Sequence, residues 1–461
     1  MAIIRDRDLI PDLNDIPVEM LVSCINEHQQ GLERLNKLDK YYKGNHDILN
    51  RKDSMTGLPN NKLVANHAKY ITDIATGYVL GNPVKYDGSQ IEPITNAFKL
   101  NDIVSHDSEL GKDLSMFGVG RELYYMSSDD VPVPKVTVID PRQLFLVVDD
   151  TVEYKSMFAL HYYERKDINN KVIGYKVNVY TSELIVIYHS TNLKDFEMVD
   201  IKDHFFGSVP VVEFWNNEEQ QGDYEQQISL LDAYNALQSD RVNDKEQLVD
   251  ALLKIKGVSL GDDTAEASKT IKLLKELKVL ELPEDGEADW LTKQLTESEV
   301  EVLRQAIKSD IHEFSMVPDL TDENFASNVS GVAMKYKLFG LEQLAVTKQR
   351  YFVQGLRERL AMFARILSVK GKAVDTSDVT ITMTRNLPAN DLETAQIIAT
   401  LAGSVSNETL IKLLSFVQNA KEEIERLNAQ KDQEVKRNQQ AFGMPMDGDP
   451  NEDEADDEAA A

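Results

Sequence analysis

Apolar residues in the first part of the chain recur at three- and four-residue spacing, the pattern of amphipathic helices. The first predicted helix spans residues 18–42 and ends before Gly44, a residue type favoured just after helix C-termini. Two further helices are predicted over residues 63–80 and 91–116. The chain therefore opens with a helical region of about one hundred residues.

The pattern changes between residues 121 and 215, where short apolar, β-branched or alternating runs precede turn residues. Five strands are predicted there, over residues 135–139, 144–148, 175–180, 184–188 and 209–214. With the preceding helices they predict an α+β region with an antiparallel sheet. Phe117 to Gly120 does not match a dinucleotide-binding glycine pattern and is interpreted as a turn.

Long helices dominate the second half, with a predicted helix over residues 225–256 that is about 45 Å long. Its ends are apolar and its middle is densely charged, so it either bridges two bodies or packs beside copies of itself. A second helix follows over residues 296–317, opened by a capping box. A third, over residues 332–369 and about 55 Å long, contains Gly340 and Gly355 as candidate bend points.

The remaining segments are short or irregular. Residues 257–293 read as a small α/β insert and residues 319–331 as an exposed loop rich in Asn, Asp and Ser. Helices begin after caps at Asn390 and Ser406, and the acidic tail from residue 444 is predicted to be disordered.

Composition argues against static nucleic-acid binding. The 461 residues include 50 basic and 78 acidic ones, a formal charge of −28. Such a chain repels DNA on average, which suits solubility and also suits a surface past which DNA slides. The length predicts two or more domains. A single cysteine, Cys24, and the lack of signal-peptide or membrane-span patterns favour synthesis in the cytosol, with no membrane partner.

The common catalytic motifs are missing from the sequence. There is no GxxxxGK[ST] loop and no HExxH pair, and one cysteine excludes a multi-cysteine zinc site. His312 is interpreted as a solvated or subunit-contact residue. The tail around Asp447 to Asp453 imitates the start of an EF-hand loop but has Glu452 where glycine is required. No catalytic residue, metal or cofactor is predicted.

Several segments in order along the chain resemble the portal proteins of tailed, siphophage-type bacteriophages. Each segment is weakly diagnostic, but together they are specific and span almost the whole chain. They are residues 41–48 (YYKGNHDI), 66–83 (NHAKYITDIATGYVLGNP), 140–144 (DPRQL), 216–223 (NNEEQQGD), 231–235 (LDAYN), 239–243 (SDRVN), 322–332 (DENFASNVSGV), 341–343 (LEQ) and 406–409 (SNET).

The resemblance implies a non-enzymatic subunit of a ring, typically twelve-membered, around a channel at one capsid vertex. It implies a portal fold, α+β and mainly helical, with a wing, stem, clip and crown. The corresponding ranges are a wing at 1–224, a stem helix at 225–256, a clip at 257–295, a second stem helix at 296–317, a tunnel loop at 318–331, a long helix returning to the wing at 332–389, a crown at 390–443 and a disordered acidic tail at 444–461.

The same resemblance assigns candidate site residues. The tunnel-loop residues expected to face DNA are Glu323, Asn324, Phe325, Ala326, Ser327 and Asn328. Lys335 and Lys337 are predicted either to contact phosphates or to be solvated helix-surface lysines. Arg241, Lys245 and Lys254 on the stem face either the channel or a neighbouring subunit.

The expected partners are further copies of the chain, double-stranded DNA in transit, terminase, the major capsid and scaffolding proteins, and a head–tail adaptor. The protein would be located in the virion, and in the host cytoplasm during assembly. Two alternatives predict different behaviour. A minor head protein would remain monomeric or form an open assembly, and a metal-dependent nuclease would need a buried carboxylate cluster and would cleave DNA.

Overall fold

The computed structural model describes residues 2–53, 59–249, 252–256, 268–269, 272, 287–291, 297–321, 331–387, 391–414, 417 and 420–441. The chain forms two compact units, Met1–Asn386 and Leu387–Ala461. Helix and sheet are mixed, which confirms the α+β class. The division into wing, stem, clip and crown, and the ring, remain predictions.

Twelve α-helices are present in the described part of the chain. They are α1 (Val18–Gln30), α2 (Leu32–Tyr42), α3 (His67–Leu80), α4 (Glu92–Leu100), α5 (Ile103–Phe117), α6 (Ile228–Val249), α7 (Glu297–Ser315), α8 (Gly331–Lys337), α9 (Phe339–Val369), α10 (Asp391–Leu401), α11 (Asn407–Lys412) and α12 (Ala420–Ala441).

Three predicted helices are each broken into two. The break between α1 and α2 lies at Gly31, and the break between α4 and α5 lies at Asn101 and Asp102, where Asp102 has a left-handed φ of 46°. The third break lies at Leu338, not at Gly340 or Gly355. Apolar periodicity continues across a break of one or two residues, so the pattern did not reveal these ends.

The predicted stem helix over residues 225–256 was wrong at its C-terminal end. It begins with a 3₁₀ turn at Glu225–Gln227, and α6 ends at Val249. Residues 252–256 form a strand instead, paired with residues 287–291. Lys254 therefore lies on a strand, opposite Asp289, and not on the stem helix. A short apolar run fits the spacing of a helix as well as that of a strand, and pairing with residues 287–291 decided in favour of a strand.

The described strands fall into four sheets, and all five predicted strands are confirmed. The strands are β1 (Ile3–Arg5), β2 (Lys85–Asp87), β3 (Val119–Met126), β4 (Pro134–Ile139), β5 (Leu144–Asp149), β6 (Ser156–Lys166), β7 (Val172–Tyr180), β8 (Leu184–Ser190), β9 (Glu197–Asp203), β10 (Val211–Trp215), β11 (Leu252–Lys256), β12 (Glu287–Leu291) and β13 (Thr380–Thr382).

The largest sheet has the order β1-β5-β6-β7-β8-β9, and a second has the order β10-β3-β4. The pairs formed among β3 to β10 are all antiparallel, as expected for that region, whereas β1, which lies outside it, pairs with β5 in parallel. A strand that is far from its partner along the chain is not held to the antiparallel direction that a hairpin imposes. Gly118 forms the predicted turn, with φ 81°, but Val119 and Gly120 already belong to β3.

Two main cores organise the first unit. One lies between α1 and the six-stranded sheet and contains Cys24, which is fully buried. The other contains side chains from helices α2, α3, α4, α5 and α9 and from the three-stranded sheet. Gly355 allows α9 to approach β10 closely, since a Cβ at this position would lie 2.4 Å from the Phe214 ring. This glycine is needed for close packing and does not interrupt α9.

Candidate functional site

The predicted DNA-facing residues Glu323, Asn324, Phe325, Ala326, Ser327 and Asn328 lie outside the described residues, but both ends of their segment are described. The N-terminal end is fixed to α3 by Tyr70. Its hydroxyl donates to the carbonyl of Pro318 at 3.0 Å and accepts from the backbone N–H of Leu320 at 2.9 Å. The start of the segment is therefore hydrogen-bonded to a packed helix.

An ion pair reinforces this end. Lys308 on α7 contacts the carboxylate of Asp319, and the hydroxyl of Thr321 donates to the same carboxylate at 2.6 Å. Partial burial would raise the pKa of Asp319, but the hydrogen bonds from Lys308 and Thr321 lower that pKa to about 2. Asp319 is thus ionised at neutral pH and holds the chain end against α7.

Three aromatic rings pack beside this end of the segment. The His312 ring lies 5.5 Å from both the His67 and Tyr70 rings, edge to face. His312 Nδ1 also lies 2.9 Å from the carbonyl oxygen of Val317. Burial, and then the proximity of His312, lower the pKa of His67 to about 4. The ring of His312 therefore has contacts within its own chain, whereas the sequence had suggested a solvated or intersubunit residue.

The other end of the segment enters α8. Lys335 is exposed there and Lys337 is half-buried. Large apolar side chains near both ends of the segment face solvent in the single chain. Met316 lies beside Gly340, because a Cβ built at Gly340 would be 3.7 Å from the Met316 Cβ. We call these side chains the loop-base patch: Phe314 (61% exposed), Met316 (50%), Leu320 (44%), Tyr336 (78%) and Phe339 (61%).

The two predicted stem helices, α6 and α7, are joined by an ion-pair cluster. Arg241 donates to Glu301 at 2.8 Å, while Arg304 donates to Glu301 at 3.0 Å and to the Tyr234 hydroxyl at 3.1 Å. The hydrogen bonds from Arg304, and then from Arg241, lower the pKa of Glu301 to about 2. Arg241 is thus engaged within its own subunit, and Lys245, one turn further along α6, is exposed.

A second set of polar contacts binds α6 to residues 59–66, and we call it the polar ladder. Backbone N–H groups at alternate positions of this segment donate to side chains spaced four residues apart on α6. Two residues of extended chain advance about 6.6 Å and four helical residues about 6.0 Å, so the spacings match. The bonds join Asn61 to Asn243 (2.6 Å), Leu63 to Ser239 (2.9 Å) and Ala65 to Asn235 (2.8 Å).

Sequence reasoning missed a buried ionic network that binds α9 to α5 and β3. The Arg359 guanidinium is fully buried and pairs with Asp107 at 2.7 Å and with Glu122. His106 Nε2 lies 2.7 Å from Glu122, and the Tyr124 hydroxyl also donates to Glu122. A signal existed in the sequence, because Arg359 lies on the apolar stripe of its helix.

Lys348 is a second cation on that stripe. Its ammonium donates to the buried carboxylate of Asp223, which also accepts from Ser115 at 2.6 Å and from Asn216 at 2.8 Å. Asn216 and Asp223 belong to one of the segments that carry the resemblance. The polar residues of that segment therefore anchor α9 and the end of α5 to the loop after β10.

The described residues contain no group of three or more His, Cys, Asp or Glu side chains placed to hold a metal ion. Within the same residues, no helix has the length and apolar character needed to cross a bilayer. The polar clusters described above join helices to one another, to loops and to sheets. They stabilise a fold of mixed helix and sheet.

Comparison with known proteins identifies its family. The chain belongs to the family described as "Phage portal protein, SPP1 Gp6-like", whose model matches residues 21–437. The portal protein of Bacillus phage SPP1 is 24% identical over 465 aligned residues, covering 92% of this chain and 90% of its own length. The portal protein of Clostridium phage phiCD119 is 23% identical over 434 residues, covering 88% and 94%. The resemblance is thereby confirmed, and with it a phage portal role.

Proposed function

We propose that identical copies of this chain form a closed ring, typically of twelve, at one capsid vertex, and that double-stranded DNA enters and leaves the head through its channel. The ring nucleates head assembly with the major capsid and scaffolding proteins. It then docks terminase, which supplies the ATPase, and later the head–tail adaptor. Assembly takes place in the host cytoplasm. The family match over residues 21–437 supports the portal role.

The loop-base patch is the observation that carries the ring. Five large apolar side chains, all close in sequence to the two ends of one segment, are exposed in the single chain, and a group of exposed apolar side chains is typical of protein interfaces. In a heterologous ring each subunit buries two different faces against its neighbours. We assign the patch to one of these faces, beside the channel-lining segment.

Native mass spectrometry and negative-stain microscopy of the purified chain test the ring. Annular particles with a central hole are expected, and a chain that stays monomeric at high concentration contradicts the proposal. Phe314→Asp and Phe339→Asp should shift the population towards monomer, because a charge would be buried at the interface. Ile168→Asp is the control, since Ile168 is 99% exposed and lies outside the patch. Rings as abundant in the patch variants as in this control would remove the patch from the interface.

DNA passage is assigned to the segment between α7 and α8. Glu323, Asn324, Phe325, Ala326, Ser327 and Asn328 would touch the DNA backbone without gripping it, and Lys335 and Lys337 would make weak, screened phosphate contacts. Lys245 on α6 and Lys254 on β11 would line the channel or contact a neighbour, and so would the half-exposed Arg241 alongside its bond to Glu301. The acidic balance of the chain, −28, favours sliding over retention. Phe325→Ala should leave ring assembly intact and reduce the DNA packaged per head, and normal packaging would refute this role for the segment.

A further inference from the structure

The first unit contains a concave pocket that the proposed portal role does not use. Its volume is about 300 Å³, and it is lined by β1, β5, the start of β6, the end of β10 and one face of α9. Ile4, Leu146 and Val148 supply apolar surface. Trp215 and Tyr351 add two aromatic rings, whose centroids are 6.3 Å apart and whose planes differ by 32°. The pocket can therefore accept an aliphatic stem beside aromatic faces.

The pocket lining includes two carboxylates, Glu213 and Glu358, and no cationic side chain. Gln220 is only 8% exposed, and its Oε1 accepts no hydrogen bond from any described residue. Glu358 is exposed at the pocket and has neither a hydrogen bond nor an ion pair in the described part of the chain. Glu213 is already engaged by Arg121 at 2.8 Å and by the indole N–H of Trp215 at 2.9 Å. Two acceptors, Gln220 and Glu358, thus lack a donor.

An unused buried acceptor is uncommon, because burial removes its hydrogen bonds to water and nothing replaces them. The electrostatics favour the same type of ligand. Partial burial of its carboxyl group, and then repulsion from Glu213, raise the pKa of Glu358, while Arg365 opposes the rise; a bound cation would oppose it further. Guanidinium and ammonium groups donate several N–H bonds, pair with carboxylates and lie favourably over Trp and Tyr rings.

We propose that this pocket binds the cationic side chain of an arginine or lysine presented by another protein chain. The aliphatic stem packs on Ile4, Leu146 and Val148, and the cation lies beside Trp215 and Tyr351. Its N–H groups donate to Glu358, and to Gln220 Oε1 once that buried amide turns towards the pocket. One unpaired carboxylate matches one cation, which favours a single basic side chain over a free polyamine with three or more charges. The pocket would act as a docking socket on the proposed wing.

Binding of blocked amino acids to the purified chain tests the socket. The probes are Nα-acetyl-arginine amide and Nα-acetyl-lysine amide, with neutral, isosteric Nα-acetyl-citrulline amide as the control ligand. Trp215 reports binding by fluorescence in a Trp290→Phe background, since these are the two tryptophans of the chain. Saturable binding of the cationic probes is expected, with citrulline at least about tenfold weaker, the effect of one charge-assisted hydrogen bond.

Glu358→Gln should weaken the cationic probes by about tenfold or more while keeping the side-chain volume. Glu33→Gln, an equal charge change at an exposed position of α2, should leave binding unchanged. Tyr351→Leu should also weaken binding, because it removes an aromatic face. Glu358→Gln should melt no lower than the parent protein, since it relieves repulsion with Glu213.

Failure to saturate, equal affinity for citrulline, or unchanged affinity in Glu358→Gln would each overturn the proposal. If spermidine bound saturably and the amino-acid probes did not, the ligand would be a free polyamine, and the proposal of a bound side chain would also be overturned. The assay measures ligand binding and not assembly. Its failure would therefore leave the ring proposal standing, and a monomeric chain would leave the socket standing.

Discussion

Replacing Arg359 with methionine tests how firmly α9 is held in the first unit. Methionine keeps much of the side-chain volume and removes the charge. Asp107 then loses its ion-pair partner, while Glu122 keeps His106 and the Tyr124 hydroxyl. Both carboxylates are almost fully buried. Removing one partner of a buried ion pair costs about 3–5 kcal/mol, so we expect a loss of that size in the free energy of unfolding at pH 8.

The loss should shrink on acidification. Burial already raises the pKa of Asp107, and Arg359 opposes this rise. Without Arg359 the folded-state pKa of Asp107 rises further above its unfolded value. A group with a raised folded-state pKa contributes stability below its unfolded pKa and loses it as pH rises through the folded pKa. The difference between variant and parent should therefore be smaller at pH 5 than at pH 8.

Urea unfolding followed by tryptophan fluorescence measures the effect, because Trp215 lies on β10, beside the strand that carries Glu122. Arg357→Met is the matched control, since Arg357 is exposed two residues earlier on α9, and its cost should stay within about 0.5 kcal/mol. Adding Asp107→Asn and Glu122→Gln to Arg359→Met should recover much of the loss. If Arg359→Met were as stable as the control, or equally unstable at both pH values, the reasoning would be refuted.

Three further predictions address other contacts. Ser239→Ala leaves the Leu63 N–H without its acceptor, so we expect a loss of about 1–3 kcal/mol and faster hydrogen exchange at that amide; unchanged exchange would contradict the polar ladder. Because the folded state lowers the pKa of His67 to about 4, the neutral ring contributes to folding stability fully above about pH 6.5, and this contribution is lost as the pH falls towards 4. Acid unfolding should show this, with a shallower fall in His67→Asn; an identical profile would exclude His67. Burial raises the pKa of the Cys24 thiol to about 11, so a thiol reagent should label it only in denaturant, and rapid native labelling would contradict its burial.

The segments that carried the resemblance make stabilising contacts that the sequence did not reveal. Asn235, Ser239 and Asn243 accept hydrogen bonds from the backbone of residues 59–66. Asp223 pairs with Lys348 of α9 and accepts a hydrogen bond from Asn216. A motif shows which residues occur together along the chain. It does not show which distant backbone N–H or ammonium each of them meets, because that depends on how the helices pack.

The sequence by itself determined the α+β class, the five predicted strands, the starts of α6, α7 and α11 to within a few residues, and the portal family. Periodicity and caps are local signals, and short-range backbone preferences are read within one turn or one strand. Tertiary structure alone decided the end of α6 at Val249, the strand that carries Lys254, and the parallel pairing of β1. It also decided that Arg359 and Lys348 are buried with carboxylates far away in the chain. Those outcomes depend on partners more than one hundred residues distant, or on competition between helix and sheet for the same apolar run, and no local pattern encodes either.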